Sequence, residues 1–196
     1  MTTIYFVRHG QSQANLAQIM QGSLIDTPLT ELGEKQALLA RKKLADVHFD
    51  AVYSSPLKRA SQTATIISSQ KPKLDERLLE FDYGTWDGRP LAELYQNYPK
   101  YFDEYHNLLP NSWEVSSGQT YAEVTKKLDS FLTDIYQKYP TKTLLVVSHG
   151  FTLKLLASLL LEISDNKLQF LNEPDNASIT KVKLSDNTRT LFYYGK

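Results

Sequence analysis

The chain of 196 residues contains no cysteine, which excludes disulfides, thiolate metal sites and a cysteine nucleophile together and suits a reducing compartment. It has no excess of either charge. Twenty-two Lys and Arg balance 22 Asp and Glu, so no overall basic field exists to hold a nucleic acid by counterion release. Long apolar runs are missing too: the most apolar stretch, Leu153 to Leu161, is too short to span a bilayer and is interrupted by Lys154 and Ser158. The first apolar segment, Ile4 to Val7, ends at Arg8 and falls short of the hydrophobic core of a secretion signal. A cytoplasmic protein with neither a nucleic-acid nor a membrane partner is the expectation. Glycine and proline are sparse, eight of each, and 41% of the residues are hydrophobic, so collagen-like and disordered classes fall away. The length suits one domain, 1–196, with room for a sizeable core.

What is present is an alternation of strands and helices. Ile4 to Val7 is a β-branched and aromatic run that stops at Arg8-His9-Gly10, the pattern of a buried strand entering a loop. A long polar loop is expected from Gly10 to Pro28. Thr30 then suits the N-cap of a helix reaching about Ala45, with Ala37, Ala40 and Leu44 at helical spacing, and a second strand follows near Phe49 to Tyr53. Ser55 and Pro56 read as the cap and first residue of the next helix, which puts Arg59 about one turn in. A short strand is expected near Lys73 to Asp75, then an irregular stretch from Glu80 to Pro90. From Gln119 to Tyr139 a helix carries Tyr121, Val124, Leu128, Phe131, Leu132 and Ile135 as one apolar stripe, which marks core. Thr143 to Val147 is continuously apolar, as in a strand buried on both faces of a parallel sheet, and leads through Ser148-His149-Gly150 into a helix from Phe151. Ser178 to Leu184 and Arg189 to Tyr194 read as a hairpin. This order predicts an α/β sandwich with a mostly parallel sheet.

A strand ending in His-Gly occurs twice, at His9-Gly10 and His149-Gly150. If the two strands are parallel neighbours, both imidazoles emerge at one sheet edge, where open α/β sheets build their sites, and each glycine lets backbone approach a ligand. Arg8, His9, Arg59 and His149 all fall at strand ends or at a helix start, and guanidinium forks beside a helix N-terminus match the oxygens of a phosphoryl group. A metal is the sharpest competing use of the two histidines. Two arginines beside a divalent cation would repel it, and no third ligand stands at a helical metal-motif spacing. His48 and His106 lie in polar surroundings and read as surface residues.

The segment Arg8-His9-Gly10-Gln11-Ser12-Gln13-Ala14-Asn15 resembles the signature of the histidine phosphatase superfamily, in its phosphoglycerate mutase-like branch. The resemblance extends to Gln21-Gly22, to Asp26-Thr27-Pro28-Leu29-Thr30 with Gly33, and to Phe49 through Arg59 and on to Ala64. It continues through Leu79-Glu80, Tyr83-Gly84-Thr85-Trp86-Asp87-Gly88 and Val146 to Gly150, in the family's order across about three quarters of the chain. It implies a three-layer α/β/α fold and a phosphohistidine formed on His9, with Arg8, Arg59 and His149 on the transferring group and Glu80 as general acid. Glu76, Asp82 and Asp87 are the nearby carboxylates passed over, because Glu80 alone matches the family's acid. Asn15, Gln21, Gly22 and Gly150 are implied as further phosphate contacts, and no metal or other cofactor is implied. Gln11-Ser12 replaces the commoner Glu-Thr. The similarity fades between Trp86 and Trp113, and residues 90–118 are expected to form a helical cap over the active-site mouth, where substrate selection would reside.

Three functions are open on these grounds. A metal-independent phosphomonoesterase would pass the phosphoryl group from His9 to water; a phosphoglycerate mutase-type enzyme would return it to a reoriented intermediate; a non-catalytic protein would only bind a phosphorylated ligand. The Tyr83 to Gly88 block resembles the phosphatases, and none of the catalytic residues is missing. The expected partner is therefore a small phosphate ester.

Overall fold

The computed structural model describes all 196 residues. Strand β1 (Thr2–Arg8) is followed by a short helix α1 (Gln13–Leu16), helix α2 (Glu31–Lys43), strand β2 (Ala51–Ser54), helix α3 (Lys58–Ser68) and a two-residue strand β3 (Lys73–Leu74). After turns around Glu80 come short helices α4 (Leu91–Asn97) and α5 (Trp113–Ser116), then helix α6 (Tyr121–Lys138), strand β4 (Thr143–Ser148), helix α7 (Gly150–Leu161) and the hairpin β5 (Ile179–Leu184) and β6 (Arg189–Tyr193). The sheet order is β3-β2-β4-β1-β5-β6. β3, β2, β4 and β1 run parallel, and the hairpin adds two antiparallel strands at the β1 side.

Side-chain alternation divides the core into two layers. Ile4, Phe6, Leu144 and Val146 face α6 and α7, while Val7, Val52, Leu145 and Val147 face Ala40 and Leu44 of the α2 segment and Ala60, Ala64 and Ile67 of α3. This is the three-layer α/β/α arrangement, and double-sided burial is why β4 reads as an unbroken apolar run. The stripe expected on α6 is buried along its whole length. Thr120 and Glu123 close a reciprocal capping box that starts the helix two residues later than Gln119.

Two local expectations are corrected. The loop from Gly10 to Pro28 is not uniformly irregular, because Ser12 and Asn15 form a capping box that nucleates α1. Helix α3 begins at Lys58, not at Pro56: the Ser55 amide still donates to Val147 as an extension of the sheet, and Leu57 is the N-cap without a side-chain bond. The Ser55 hydroxyl is engaged elsewhere, and Arg59 stands at the second helical position.

The aromatic segment after Gly88 folds over one end of the larger core. Trp86 is its hub, buried at 1% exposure, with ring centroids of Tyr98, Tyr101 and Phe102 at 4.8, 5.9 and 5.7 Å. Edge and offset contacts of this kind add to plain area burial.

Leu132 is fully buried on α6 whereas Leu38 on α2 is about half exposed. Leu132→Ala is expected to lower unfolding free energy by about 2–5 kcal/mol, and Leu38→Ala to change it by less than about 0.5 kcal/mol, in urea titrations of the two variants.

Candidate active site

The site follows from one pairing. β1 and β4 run in register to Arg8 opposite Ser148, and the His9 amide donates to the Ser148 carbonyl at 3.0 Å. The imidazoles of His9 and His149 therefore leave the same sheet edge, with ring centroids 5.1 Å apart.

The proton on His9 is fixed by its neighbours. Nδ1 lies 2.7 Å from the Gly10 carbonyl oxygen, which can only accept, so Nδ1 carries the hydrogen. The Arg59 Nε–H donates to Nε2 at 3.3 Å, which leaves a lone pair on that nitrogen. Burial, then the positive charges of Arg59 and Arg8, push the imidazole well below its ordinary pKa, against the smaller opposing effect of Gly10. His9 is a neutral, lone-pair-bearing base at neutral pH.

Arg59 is wholly buried and clamped by loop carbonyls: Nη1 donates to Ile25 at 2.6 Å and Nη2 to Gly22 at 3.2 Å. Burial lowers its pKa to about 10, so it stays charged at pH 7. His149 is buried beside it, with Nε2 2.7 Å from Ser55 Oγ. The same hydroxyl, which accepts only a long 3.4 Å bond from the Leu57 amide ahead of α3, thus holds the second imidazole. Burial and the surrounding Arg59, His9 and Arg8 lower the His149 pKa strongly. Arg8 donates through Nη1 to the Pro174 carbonyl at 2.7 Å and sits 3.5 Å from the Glu173 carboxylate. Arg8 Nε and His149 Nδ1 are buried nitrogens without a protein partner, donors suited to an incoming anion.

Glu80 is buried against the N-terminus of α7. Its Oε1 accepts from the Phe81 and Thr152 amides at 2.9 and 3.0 Å and lies 2.9 Å from Thr152 Oγ1, while Oε2 has one long contact, 3.3 Å, to the Phe151 amide. Burial and the charge of Glu173 raise its pKa; the Phe81 amide, Arg59 and Thr152 oppose them in part. The crowded oxygen is Oε1, so the proton of the neutral acid belongs on Oε2.

A cavity of about 170 Å³ is lined by Arg8, His9, Asn15, Gln21 and Glu80 on its polar side. Arg59 and His149 are not on the wall and reach the site through His9. Asn15 accepts from the Ser12 amide through Oδ1, which leaves its NH2 free to donate. Gln21 braces the loop, accepting from Ser12 Oγ at 2.6 Å and donating to Thr27 Oγ1 at 2.7 Å, which leaves one Nε2 hydrogen uncommitted. The Gly22 amide donates to Asp87 at 2.7 Å and not into the cavity, so in this structure the residue serves to hold Arg59. The two strand-end glycines are also required by packing. A Cβ on Gly10 would meet the Gly33 carbonyl oxygen at 2.3 Å, and one on Gly150 would meet Glu173 at 2.3 Å and Arg8 at 2.8 Å, so both permit packing of protein on protein. No group of three or more His, Asp or Glu side chains converges in a way that could hold a metal ion.

Several participants are not singled out as site residues by the sequence. Glu173 arrives from the loop before β5, Thr152 and Phe151 from α7, and Asp87 from the turn that braces Gly22. His106 is exposed, as expected, yet it also lines the cavity, its ring 4.0 Å from that of Tyr95. Its position depends on the fold of the aromatic segment and has no local motif.

The raised pKa of Glu80 has a consequence for stability. An acid whose folded pKa exceeds its unfolded value favours the native state at low pH, and that advantage is lost as pH rises from the unfolded value through the folded one. Glu80→Gln keeps the acceptor and removes the titration. Denaturant titrations are expected to find it more stable than the wild type at pH 8, with the gap narrowing towards pH 4.

Known proteins are similar to this chain in sequence and in fold. The chain is 31% identical to phosphoserine phosphatase 1 of Hydrogenobacter thermophilus over 97% of its own length and 90% of the relative's. Its fold superposes on Bacillus stearothermophilus YhfR with a TM-score of 0.90 at 29% identity, covering 100% of this chain and 98% of the other. A phosphoserine phosphatase mutant from Entamoeba histolytica, in complex with phosphoserine, matches with a TM-score of 0.83 at 30% identity over 100% of this chain and 98% of its own. The model of the histidine phosphatase superfamily (branch 1) matches residues 4–195, and with the paired histidines, the clamped arginine and the buried carboxylate at one sheet edge, the chain belongs to that superfamily.

Proposed function

We propose that the protein hydrolyses a small phosphate monoester without a metal, through a phosphohistidine on His9. The observation that carries this reading is the tautomer of His9, a residue of the cavity lining, with Nδ1–H held by a carbonyl and Nε2 left as the lone-pair nitrogen, its one partner being a long bond from Arg59 that yields as phosphorus approaches. Nε2 attacks phosphorus as the bond to the ester oxygen breaks, and the Gly10 carbonyl steadies the positive charge that grows on the ring. Arg8 and Asn15 receive the equatorial oxygens from the wall, and Arg59 and His149, which stand behind His9, come within reach of them as phosphorus closes on Nε2; positioning and electrostatics provide most of the catalysis. Ser55 Oγ–H donates to His149 Nε2, which leaves the His149 proton on the unpartnered Nδ1 for the phosphoryl group. Glu80 protonates the leaving alkoxide from Oε2. As carboxylate it then takes a proton from the water that attacks the phosphohistidine, which returns His9 and Glu80 to their starting states.

Hydrolysis is favoured over mutase-type transfer by the rest of the cavity lining. Arg8 is the one arginine or lysine on it. The lining offers no second cluster of cations for the bisphosphate intermediate that a mutase must hold and turn. The segment 90–118 serves in this reading as a cap that shapes the mouth, supported by the places of Leu91, Tyr95, Phe102, His106 and Leu108 on the wall. The names of the phosphoserine phosphatase relatives agree with a phosphomonoesterase, and the cysteine-free sequence with action in the cytoplasm.

His9→Ala, assayed on p-nitrophenyl phosphate in the presence of a chelator, is expected to lose essentially all turnover, and unchanged activity would remove the nucleophile. In the wild type, rapid alkaline quenching during turnover should trap a phosphoryl group on the peptide that contains His9. With 3-phosphoglycerate and its bisphosphate primer, phosphate release should outrun isomerisation.

Glu80→Ala should slow hydrolysis of an alkyl phosphate by about 10²–10⁴-fold and slow p-nitrophenyl phosphate much less, because p-nitrophenolate leaves without a proton. Equal losses on the two esters would argue for a purely structural Glu80.

A further inference from the structure

An anion-binding cavity is an awkward place for a carboxylate without a hydrogen bond, and Glu173 is one, its charge met only by a loose ion pair with Arg8. It lines the same cavity as Arg8, His9 and Asn15, with its side chain 37% exposed. Its only protein partner is Arg8 Nη1 at 3.5 Å, too long and too loosely placed for a hydrogen bond, and that guanidinium is already committed to Pro174. The other wall carboxylate, Glu80, has its oxygens covered by donors from Phe81, Phe151 and Thr152. Glu173 has no such cover. Its charge reaches into the cavity, where it raises the pKa of Glu80, Tyr83 and Tyr95.

A phosphate dianion alone would gain nothing from this neighbour and would be repelled by it. The conflict disappears if the substrate brings its own cation. The surroundings suit one: Tyr83, Tyr95, Phe102 and Phe151 line the same cavity as the carboxylate, and rings of this kind attract ammonium groups. The cavity is also small, about 170 Å³, in keeping with a phosphoryl group on a compact carbon skeleton.

Resting on the phosphomonoesterase reading, we infer that Glu173 is a specificity-determining residue that binds an ammonium group of the substrate, so that the substrate class is small amine-bearing phosphate monoesters. The residue acts in two directions. It attracts the zwitterionic ester, and it rejects esters that place a second anion at the same position.

O-phosphoserine and 3-phosphoglycerate make the test, since they share phosphate, carboxylate and chain length and differ by ammonium against hydroxyl. The wild type should show kcat/KM at least about tenfold higher for O-phosphoserine, the scale of one hydrogen bond to a charged group. In Glu173→Gln the ratio should fall towards one, mainly by loss on O-phosphoserine. A wild-type ratio near one or below it would overturn the inference, as would a preference that survives in Glu173→Gln. Either result leaves hydrolysis itself standing. Calorimetric titration of both esters into wild type and Glu173→Gln separates the two readings: a binding preference for O-phosphoserine that needs Glu173, in a protein that turns over neither ester, keeps the ammonium subsite and removes the phosphatase. Equal binding, or no binding of either, removes the subsite.

Discussion

Because β1 and β4 lie side by side and parallel, with Arg8 opposite Ser148, two chain segments that are remote in sequence stop at the same height and turn away from the sheet together. Everything at the site is arranged around that shared edge. β2, on the other side of β4, ends one step away at Ser54 and delivers Ser55 to His149. Helix α3 then starts late enough to place Arg59 against His9. Helix α7 starts at Gly150 and offers its first amides to Glu80. Had β1 and β4 been separated by another strand, none of these contacts could form at these lengths.

The electrostatics of the edge rest on selective burial. Removal from water penalises the charged form of every group, but the outcome differs with chemistry. Arg59, starting from a very high pKa and bonded to carbonyls, keeps its charge. His9 and His149, starting near neutrality and facing two arginines, lose theirs. Glu80 is shifted towards its neutral form although amides hold it. One buried environment therefore yields a cation, two neutral bases and a carboxyl group whose pKa is raised. The zero net charge of the whole chain conceals this local asymmetry, which concerns only a few side chains.

Much of this was legible in the sequence, for identifiable reasons. The continuous apolar run of β4 and the stripe on α6 reflect burial geometry directly, so strand, helix and core residues could be read from period alone. His9 and His149 were legible as a pair because both follow a strand. What local pattern could not show is competition for a group: Ser55 has the signature of a helix cap, yet its hydroxyl is held by an imidazole that arrives from 94 residues further along. Glu173 and His106 were invisible for a related reason, since each reaches the cavity from a segment without regular periodicity. Gly22 and Gly150 matched the family's pattern while their geometry here is that of close packing within the protein.

The central place of β1 also bears on how the chain matures. Its two sheet neighbours, β4 and β5, both lie beyond residue 140, and the loop just before β5 bonds to the backbone of Arg8 and His9 through Ala177 and Asn176. As the polypeptide leaves the ribosome, β1 emerges first and waits for most of the chain before either edge is paired. Such late, long-range pairing is slow and leaves an apolar strand open to wrong partners in the meantime. Chemical competence and completion of the central sheet are thereby a single event, so an unfinished chain has no partly formed phosphate site with which to sequester metabolites.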